Sequence, residues 1–223
     1  MHSVVGTPTD GGRVTITWTE RSDGDLSVDS PEVAWRRATI VDRPWVWLRQ
    51  VHGDAVVVVE DGPIDAVCGV EADALVTRRP DLALAVQSAD CATIGLWSDD
   101  DVLAAVHCGW RGFEVGVVDA TIDTIRELTD APLHAVLGPS IGPECYEFGA
   151  DDLERLRTRF GDVIVGATAD GRPALDLRAG LRARLDDLGV ELVAADDRCT
   201  ACETDAFHSH RARGDAGCQA LVV

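Results

Sequence analysis

Three residues have the types and settings to share a reaction centre: His52, Cys91 and His107, each flanked by glycine or other small residues. Cys91 ends the stretch Ser88-Ala-Asp-Cys91. Beyond it two short apolar runs, Ala92 to Trp97 and Val102 to Val106, flank the polar segment Ser98 to Asp101. This pattern predicts a β-hairpin, and closing the hairpin brings its outer ends, Cys91 and His107, together. A thiol beside an imidazole admits two chemistries, an activated nucleophile or a pair of metal ligands. With His52 as a third ligand, one coordination position would stay open, the arrangement of a catalytic zinc site. Satisfied core residues are the plainer alternative that spacing alone leaves standing.

Several elements must position these residues. Val14, Ile16 and Trp18 alternate with threonines, predicting a half-buried strand over Arg13 to Trp18 after an Asp10-Gly11-Gly12 turn. Ser30-Pro31 predicts the start of a short helix running to Thr39, ended by Asp42-Arg43-Pro44. Trp45 to Leu48 reads as a strand carrying Arg49-Gln50-Val51-His52 at its end. The four valines Val56 to Val59 read as a strand buried on both faces. Glu71 to Thr77 and Leu82 to Val86 are two more strands. After Gly112 the period changes: Val118, Ile122 and Ile125 mark one face of a helix. His134 to Leu137 is a strand leading into the stiff loop Gly138 to Pro143. Leu153, Leu156 and Phe160 mark a second helix. Asp176 caps a third, with Leu177, Leu181, Leu185 and Leu188 along one stripe and Gly189 at its stop. A C-terminal hairpin around Arg213 to Gly217 is expected to end in the strand Ala220 to Val223. The whole reads as one α+β domain over residues 1–223, a mixed sheet flanked by helices.

A net charge of -19 opposes binding to a phosphate backbone, so nucleic acid is not an expected partner. A small anion is compatible with this charge if a few arginines line one cleft. No apolar run approaches the roughly 20 residues that span a bilayer, and the N-terminus lacks a basic region followed by an apolar one. The expected place of the chain is therefore the cytoplasm, with no membrane contact. Seven cysteines, an odd number in a chain of this size, suggest free thiols or ligands rather than disulfide staples. Cys199-Thr-Ala-Cys202 with His208 and His210 supplies four donors within twelve positions. A structural metal is one reading; the spacing matches no standard zinc module, so buried or idle thiols are the simpler one.

Taken together, Arg49-Gln-Val-His52, Ala89-Asp-Cys91, His107-Cys-Gly-Trp-Arg-Gly112 and Leu137-Gly-Pro-Ser-Ile-Gly-Pro-Glu-Cys-Tyr-Glu147 resemble the laccase-domain family. That family was first called multicopper polyphenol oxidases and later purine nucleoside phosphorylases of the YfiH type. Leu175-Asp-Leu177 and Cys199-Thr200 extend the resemblance over nearly the whole chain. It implies an α+β fold similar to that of cysteine-hydrolase-like toxin domains, with zinc, or copper in its place, held by His52, Cys91 and His107. It also implies phosphorolysis of adenosine, inosine or methylthioadenosine, with adenosine deamination as a side activity. On this reading the partners are a purine nucleoside and phosphate, while the oligomeric state is left open. Arg49 is then the candidate for binding phosphate through two parallel hydrogen bonds. Asp90 is the candidate acid or base, or equally a group that orients a ligand. Gln50, Trp110 and Arg111 are candidate substrate contacts, with Trp110 able to stack on a base.

The chain departs from the family at Cys108, where alanine is usual, and near its end. There it reads Phe207-His-Ser-His-Arg-Ala212 and Ala216-Gly-Cys218, losing a tyrosine and two arginines. Three rival readings remain: an amide hydrolase acting on a cell-wall precursor, with Cys91 as nucleophile and His107 as base; a copper-binding oxidase; and a diverged binding protein without catalysis. Six histidines and a single methionine are too few to ligate several coppers.

Overall fold

The computed structural model describes residues 1–6 and 13–223, so the Asp10-Gly11-Gly12 turn lies outside the described residues. In chain order the elements are β1 (His2–Gly6), β2 (Val14–Trp18), α1 (Val33–Ile40), β3 (Trp45–Trp47), β4 (Val56–Val59), β5 (Ala74–Thr77), β6 (Ala83–Ser88), β7 (Ala92–Ser98), β8 (Leu103–Cys108), α2 (Trp110–Val115), α3 (Val117–Leu128), β9 (Leu133–Leu137), α4 (Ala150–Phe160), β10 (Val165–Ala167), β11 (Pro173–Leu175), α5 (Leu177–Asp187), β12 (Val190–Ala195), α6 (His210–Arg213) and β13 (Gln219–Val222). Two large sheets dominate, one ordered β1-β2-β13-β6-β3 and the other β12-β9-β7-β8-β5-β4; β10 and β11 form a small ribbon. Both large sheets are mixed. The β3–β6, β4–β5 and β12–β9 pairs are parallel, and the remaining pairs are antiparallel.

Side chains alternate across each central strand, so the two-residue period sorts the core into layers. Leu75, Leu103, Ala105 and Trp97 of one sheet meet Ile16, Leu84, Val86 and Leu221 of the other in a sandwich core. Their neighbours Val76, Ile94, Leu96, Ala104 and Val106 face the opposite way. They pack under Phe113, Val118, Ile122 and Ile125 of α2 and α3 and under Leu153, Leu181 and Leu185 of α4 and α5. Central strands buried on both faces explain why β6, β7 and β8 are nearly continuous apolar runs. Gly95 marks a close approach of the sheets: a Cβ there would lie 2.8 Å from Ile16 Cγ2. The α+β reading, a mixed sheet core flanked by helices, is thus what the chain forms. Among the described residues no helix is long and apolar enough to cross a membrane.

Three local expectations need correction. The Val56–Val59 strand is not buried on both faces: β4 lies at a sheet edge, pairs only with β5, and leaves Val58 39% exposed. The C-terminal segment does not close a hairpin. Instead α6 precedes β13, which inserts between β2 and β6, because its apolar side chains find two-sided burial there. The first helix starts at Val33, whose amide bonds to the Ser30 carbonyl, so Ser30 closes a turn before the helix. The Gly109-Trp-Arg-Gly segment opens α2 directly after β8.

Candidate metal centre

The sequence expectation that the β7–β8 hairpin joins Cys91 to His107 matches the register. Ala92 pairs with Cys108 and Thr93 with His107, so Cys91, one residue before β7, arrives beside Gly109. A Cβ on Gly109 would lie 2.6 Å from His52 Cδ2 and 3.1 Å from Cys91 Sγ. Glycine is therefore required there by the closeness of the His52 and Cys91 side chains. The His52, Cys91 and His107 donor atoms lie within 4.8 Å of one another, with Cys91 Sγ 3.6 Å from His52 Nε2. The two imidazoles meet edge to face at 4.8 Å.

Asp73 organises this group, and sequence reasoning passed over it as part of a strand. β5 pairs with β8, and one residue before β5 Asp73 lies beside His107, whose amide bonds to the Asp73 carbonyl. The fully buried Asp73 carboxylate lies 2.8 Å from His107 Nδ1. It also accepts the amides of Val51, His52 and Gly53 at 3.2, 3.0 and 2.7 Å. These bonds hold His52 at a φ of +61°, a left-handed conformation uncommon for a residue with a side chain. One carboxylate thus orients both histidines, and binding Nδ1 of His107 leaves Nε2 as the nitrogen for a ligand, the arrangement found around many zinc sites. Burial would raise the pKa of Asp73, but its bonds to His107, Gly53 and His52 hold it below the usual carboxylate value. The available signal was an acid set inside the apolar run Ala72 to Val76.

Burial also opposes ionisation of Cys91, yet the neighbouring His107 charge and hydrogen bonds from His107 and His52 bring its thiol down to about 6. Against the same burial, Cys91 and Asp73 hold His107 up to about 9. One soft sulfur and two imidazole nitrogens, with one histidine oriented from behind, fit a zinc or copper ion.

The other expected residues fall into two groups. Arg49 is exposed, and its guanidinium makes no ion pair among the described residues, while its backbone is fixed by bonds to Val70 and Ala72. Trp110 packs edge-on against Phe148, which in turn meets Tyr146 edge-on. The Arg111 guanidinium covers Trp110 at 4.4 Å and that of Arg211 covers Tyr146 at 5.7 Å. Trp110 directly follows Gly109, which lies against His52 and Cys91, so the aromatic wall begins beside the centre; burial chiefly, then the Cys91 charge, pushes the Tyr146 phenol upward. Tyr146 and Arg211 were not singled out from sequence, although Tyr146 is the chain's only tyrosine.

Gln50 and Asp90 are committed elsewhere. Gln50 makes a reciprocal pair of bonds with the Gln87 backbone, at 2.7 and 2.8 Å, tying the His52 segment to β6. Asp90, also at positive φ, accepts Thr200 Oγ1 at 2.6 Å and the Arg211 amide at 2.7 Å. Orienting a ligand histidine is the work of Asp73. Of the residues that depart from the expected pattern, Cys108 is buried under α2 and α3. The Cys218 amide bonds to Asp25, and burial raises its thiol to about 11. The buried His208 ring lies against Gly217, where a Cβ would come within 2.7 Å of it.

Residues 19–223 match the family described as multi-copper polyphenol oxidoreductase laccase. The chain is 38% identical over 182 residues to a purine nucleoside phosphorylase of Corynebacterium glutamicum, covering 80% of this chain and 73% of the relative. It is 34% identical over 220 residues to a purine nucleoside phosphorylase of Streptomyces coelicolor, covering 91% and 87%. Among solved structures, a Neisseria meningitidis protein superposes with a TM-score of 0.83 at 27% identity, covering 100% of this chain and 98% of the other. YfiH of Bacillus licheniformis superposes with a TM-score of 0.80 at 27% identity, covering 93% and 91%.

Proposed function

The chain belongs to the multi-copper polyphenol oxidoreductase laccase family, and on that premise we propose that it is a purine nucleoside phosphorylase with zinc held by His52, Cys91 and His107. The observation that carries the reading is this three-donor centre beside an aromatic wall topped by arginines, in a chain whose relatives bear that activity's name. When bound, the ion supplies a Lewis acid with a position open to substrate. Copper would find the same donors acceptable, and metal analysis distinguishes the two.

The chain's own residues divide the remaining work. In phosphorolysis a phosphate oxygen forms a bond to the ribose C1′ while the C1′–N bond to the purine breaks. The products are ribose 1-phosphate and the free base. Phosphate must be held in line with that bond, and the departing base, which leaves with the bonding pair, needs a proton or a hydrogen-bond donor. We assign phosphate to Arg49, three residues before His52, whose exposed guanidinium can make two parallel bonds to it. The purine ring stacks against the wall of Trp110, Phe148 and Tyr146, with Arg111 and Arg211 above it. Gln50 and Asp90 act as positioning residues, Gln50 for the His52 segment and Asp90 for the backbone that carries Arg211.

Adenosine and inosine are the substrates we assign, with methylthioadenosine as a further one, and free thiols throughout suit the cytoplasm. The test is incubation of the zinc-loaded protein with adenosine, with and without phosphate. Phosphate-dependent release of adenine supports the reading, and inosine formed without phosphate reports the deaminase side activity. No product from metal-loaded protein overturns it. A second reading is favoured by one observation: Cys91, His107 and Asp73 also stand in the order of nucleophile, base and orienting acid. An amide hydrolase would keep Cys91 free to be alkylated in the protein as isolated, whereas a ligated Cys91 resists alkylation and Cys91→Ser loses the metal.

A further inference from the structure

A second cluster of donors lies where two turns meet. The turn Pro143–Cys145 presents Glu144 and Cys145, and the turn over 199–202 presents Cys199 and Cys202. The amides of Cys202 and Glu203 both bond to the Cys199 carbonyl, closing this turn so that two cysteines spaced by two residues share one side. The turns are laced together by the bridge between Ser140 and Cys199 and by the bond from the Thr200 amide to the Ser140 carbonyl. Three sulfurs and a carboxylate oxygen then lie within 4.8 Å of one another. Cys145 Sγ is 3.4 Å from Cys202 Sγ, and Cys202 Sγ is 3.8 Å from Glu144 Oε1.

We propose that Cys145, Cys199, Cys202 and Glu144 form a structural zinc site, separate from the His52–Cys91–His107 centre. With Zn–S bonds of about 2.3 Å, tetrahedral ligands stand roughly 3.8 Å apart, which is the spacing of this cluster. Four protein donors fill the tetrahedron, so the site is closed to substrate, as structural sites are. Burial raises the Cys199 thiol, with Ile141 and Ala201 packed around the sulfur, and the Gly142 amide, donating to Sγ at 3.1 Å, acts the other way. Arg178 pairs with Glu144 at 3.8 Å and orients it from outside. His208 and His210, the partners the sequence offers to Cys199 and Cys202, are elsewhere: His208 is buried against Gly217, and His210 is exposed at the start of α6. On binding, each coordinating thiol gives up its proton and the zinc keeps its charge, so no oxidant or reductant is involved.

The placement gives the metal a purpose. Tyr146 of the aromatic wall directly follows Cys145, and Thr200, which bonds to Asp90, directly follows Cys199. Clamping the two turns therefore fixes one side of the reaction centre.

The test compares zinc per chain, by elemental analysis, in wild-type protein and in the Cys145→Ser/Cys202→Ser double variant, both prepared with zinc and without chelators. The expected result is a loss of one zinc per chain. In cobalt-loaded Cys91→Ser protein, which lacks the thiolate of the other centre, a thiolate-to-cobalt charge-transfer band should persist and should vanish when the double substitution is added. Equal zinc in wild-type and double-variant protein, or no such band in folded Cys91→Ser protein, overturns the proposal. So does a Cys145–Cys202 disulfide in the wild-type protein purified with reductant. None of these readouts depends on nucleoside turnover, so they stand or fall independently of the phosphorylase reading.

Discussion

The His52–Cys91–His107 centre is built on strand ends, whereas the Cys145–Cys199–Cys202 cluster is built on turns. At the first, sheet register sets the geometry: β5, β7 and β8 bring Asp73, Cys91 and His107 side by side, and one buried carboxylate holds the His107 imidazole and the backbone that carries His52. At the second, no buried carboxylate organises the group, and Cys202 is exposed. The first offers three donors and an open side; the second offers four and closes on itself. A framework set by sheet register can hold a metal with a position left for chemistry, while turns laced by backbone bonds can supply a full set of four donors. The two are joined at Asp90, the neighbour of Cys91, whose carboxylate accepts from Thr200 Oγ1, beside Cys199, and whose carbonyl accepts the Ile141 amide.

This contrast can be broken most directly at Gly109. Gly109→Ala places a methyl group against the His52 ring and should abolish metal binding at the strand-end centre, leaving the thiol cluster's zinc in place. Loss of both metals would show that the two sites are not independently built. Next in size is Asp73→Asn, which keeps the shape but not the charge behind His107. Affinity of the centre for zinc should fall by about 10- to 100-fold, measured by competition with a chromophoric chelator.

Thr200→Val addresses the link between the sites. It removes a donor from a buried carboxylate and should cost about 2 kcal/mol of stability, read from urea unfolding. Trp110→Ala should raise KM for nucleoside roughly fivefold, about 1 kcal/mol of lost stacking, at unchanged zinc content. An unchanged KM would remove Trp110 from the substrate wall.

The smallest effect is expected outside both clusters, at Asp215. The Ser209 amide lowers its pKa most; against a small burial effect, Arg21 and Arg213 add to the lowering, to about 2. Its contribution to stability is therefore present above the ordinary value of 3.8 and lost as pH falls toward 2. Wild type should exceed Asp215→Asn in stability at pH 7, and the difference should shrink between about pH 4 and pH 2. A difference that is constant with pH would show that the contribution does not come from the charge.

Much of the framework was legible in the chain. The hairpin from Ala92 to Val106, the Val118–Ile122–Ile125 face and the Asp176 cap all appear as expected, because local period and capping chemistry fix them. Asp176 accepts the Ala179 amide as an N-cap should. The last strand was placed well but given the wrong neighbours, since β13 pairs with β2 and β6, strands distant in sequence. Burial of β4 was misread for a related reason: four valines state a preference for strand but do not say whether a sheet ends there.

By itself the sequence determined the soft and nitrogen donors, the glycines that let them approach, and the two-residue alternation that makes each central strand a two-faced wall. Motifs before and after the hairpin also pointed to His52, Cys91 and His107 as one set. Only the tertiary structure decided who stands behind them and who joins the remaining cysteines. Asp73 reaches His107 through the pairing of β5 with β8, and Glu144 and Cys145 meet Cys199 and Cys202 across more than fifty residues. Such partners are chosen by register and by how loops cross a sheet edge, and both depend on contacts between segments that local sequence does not encode.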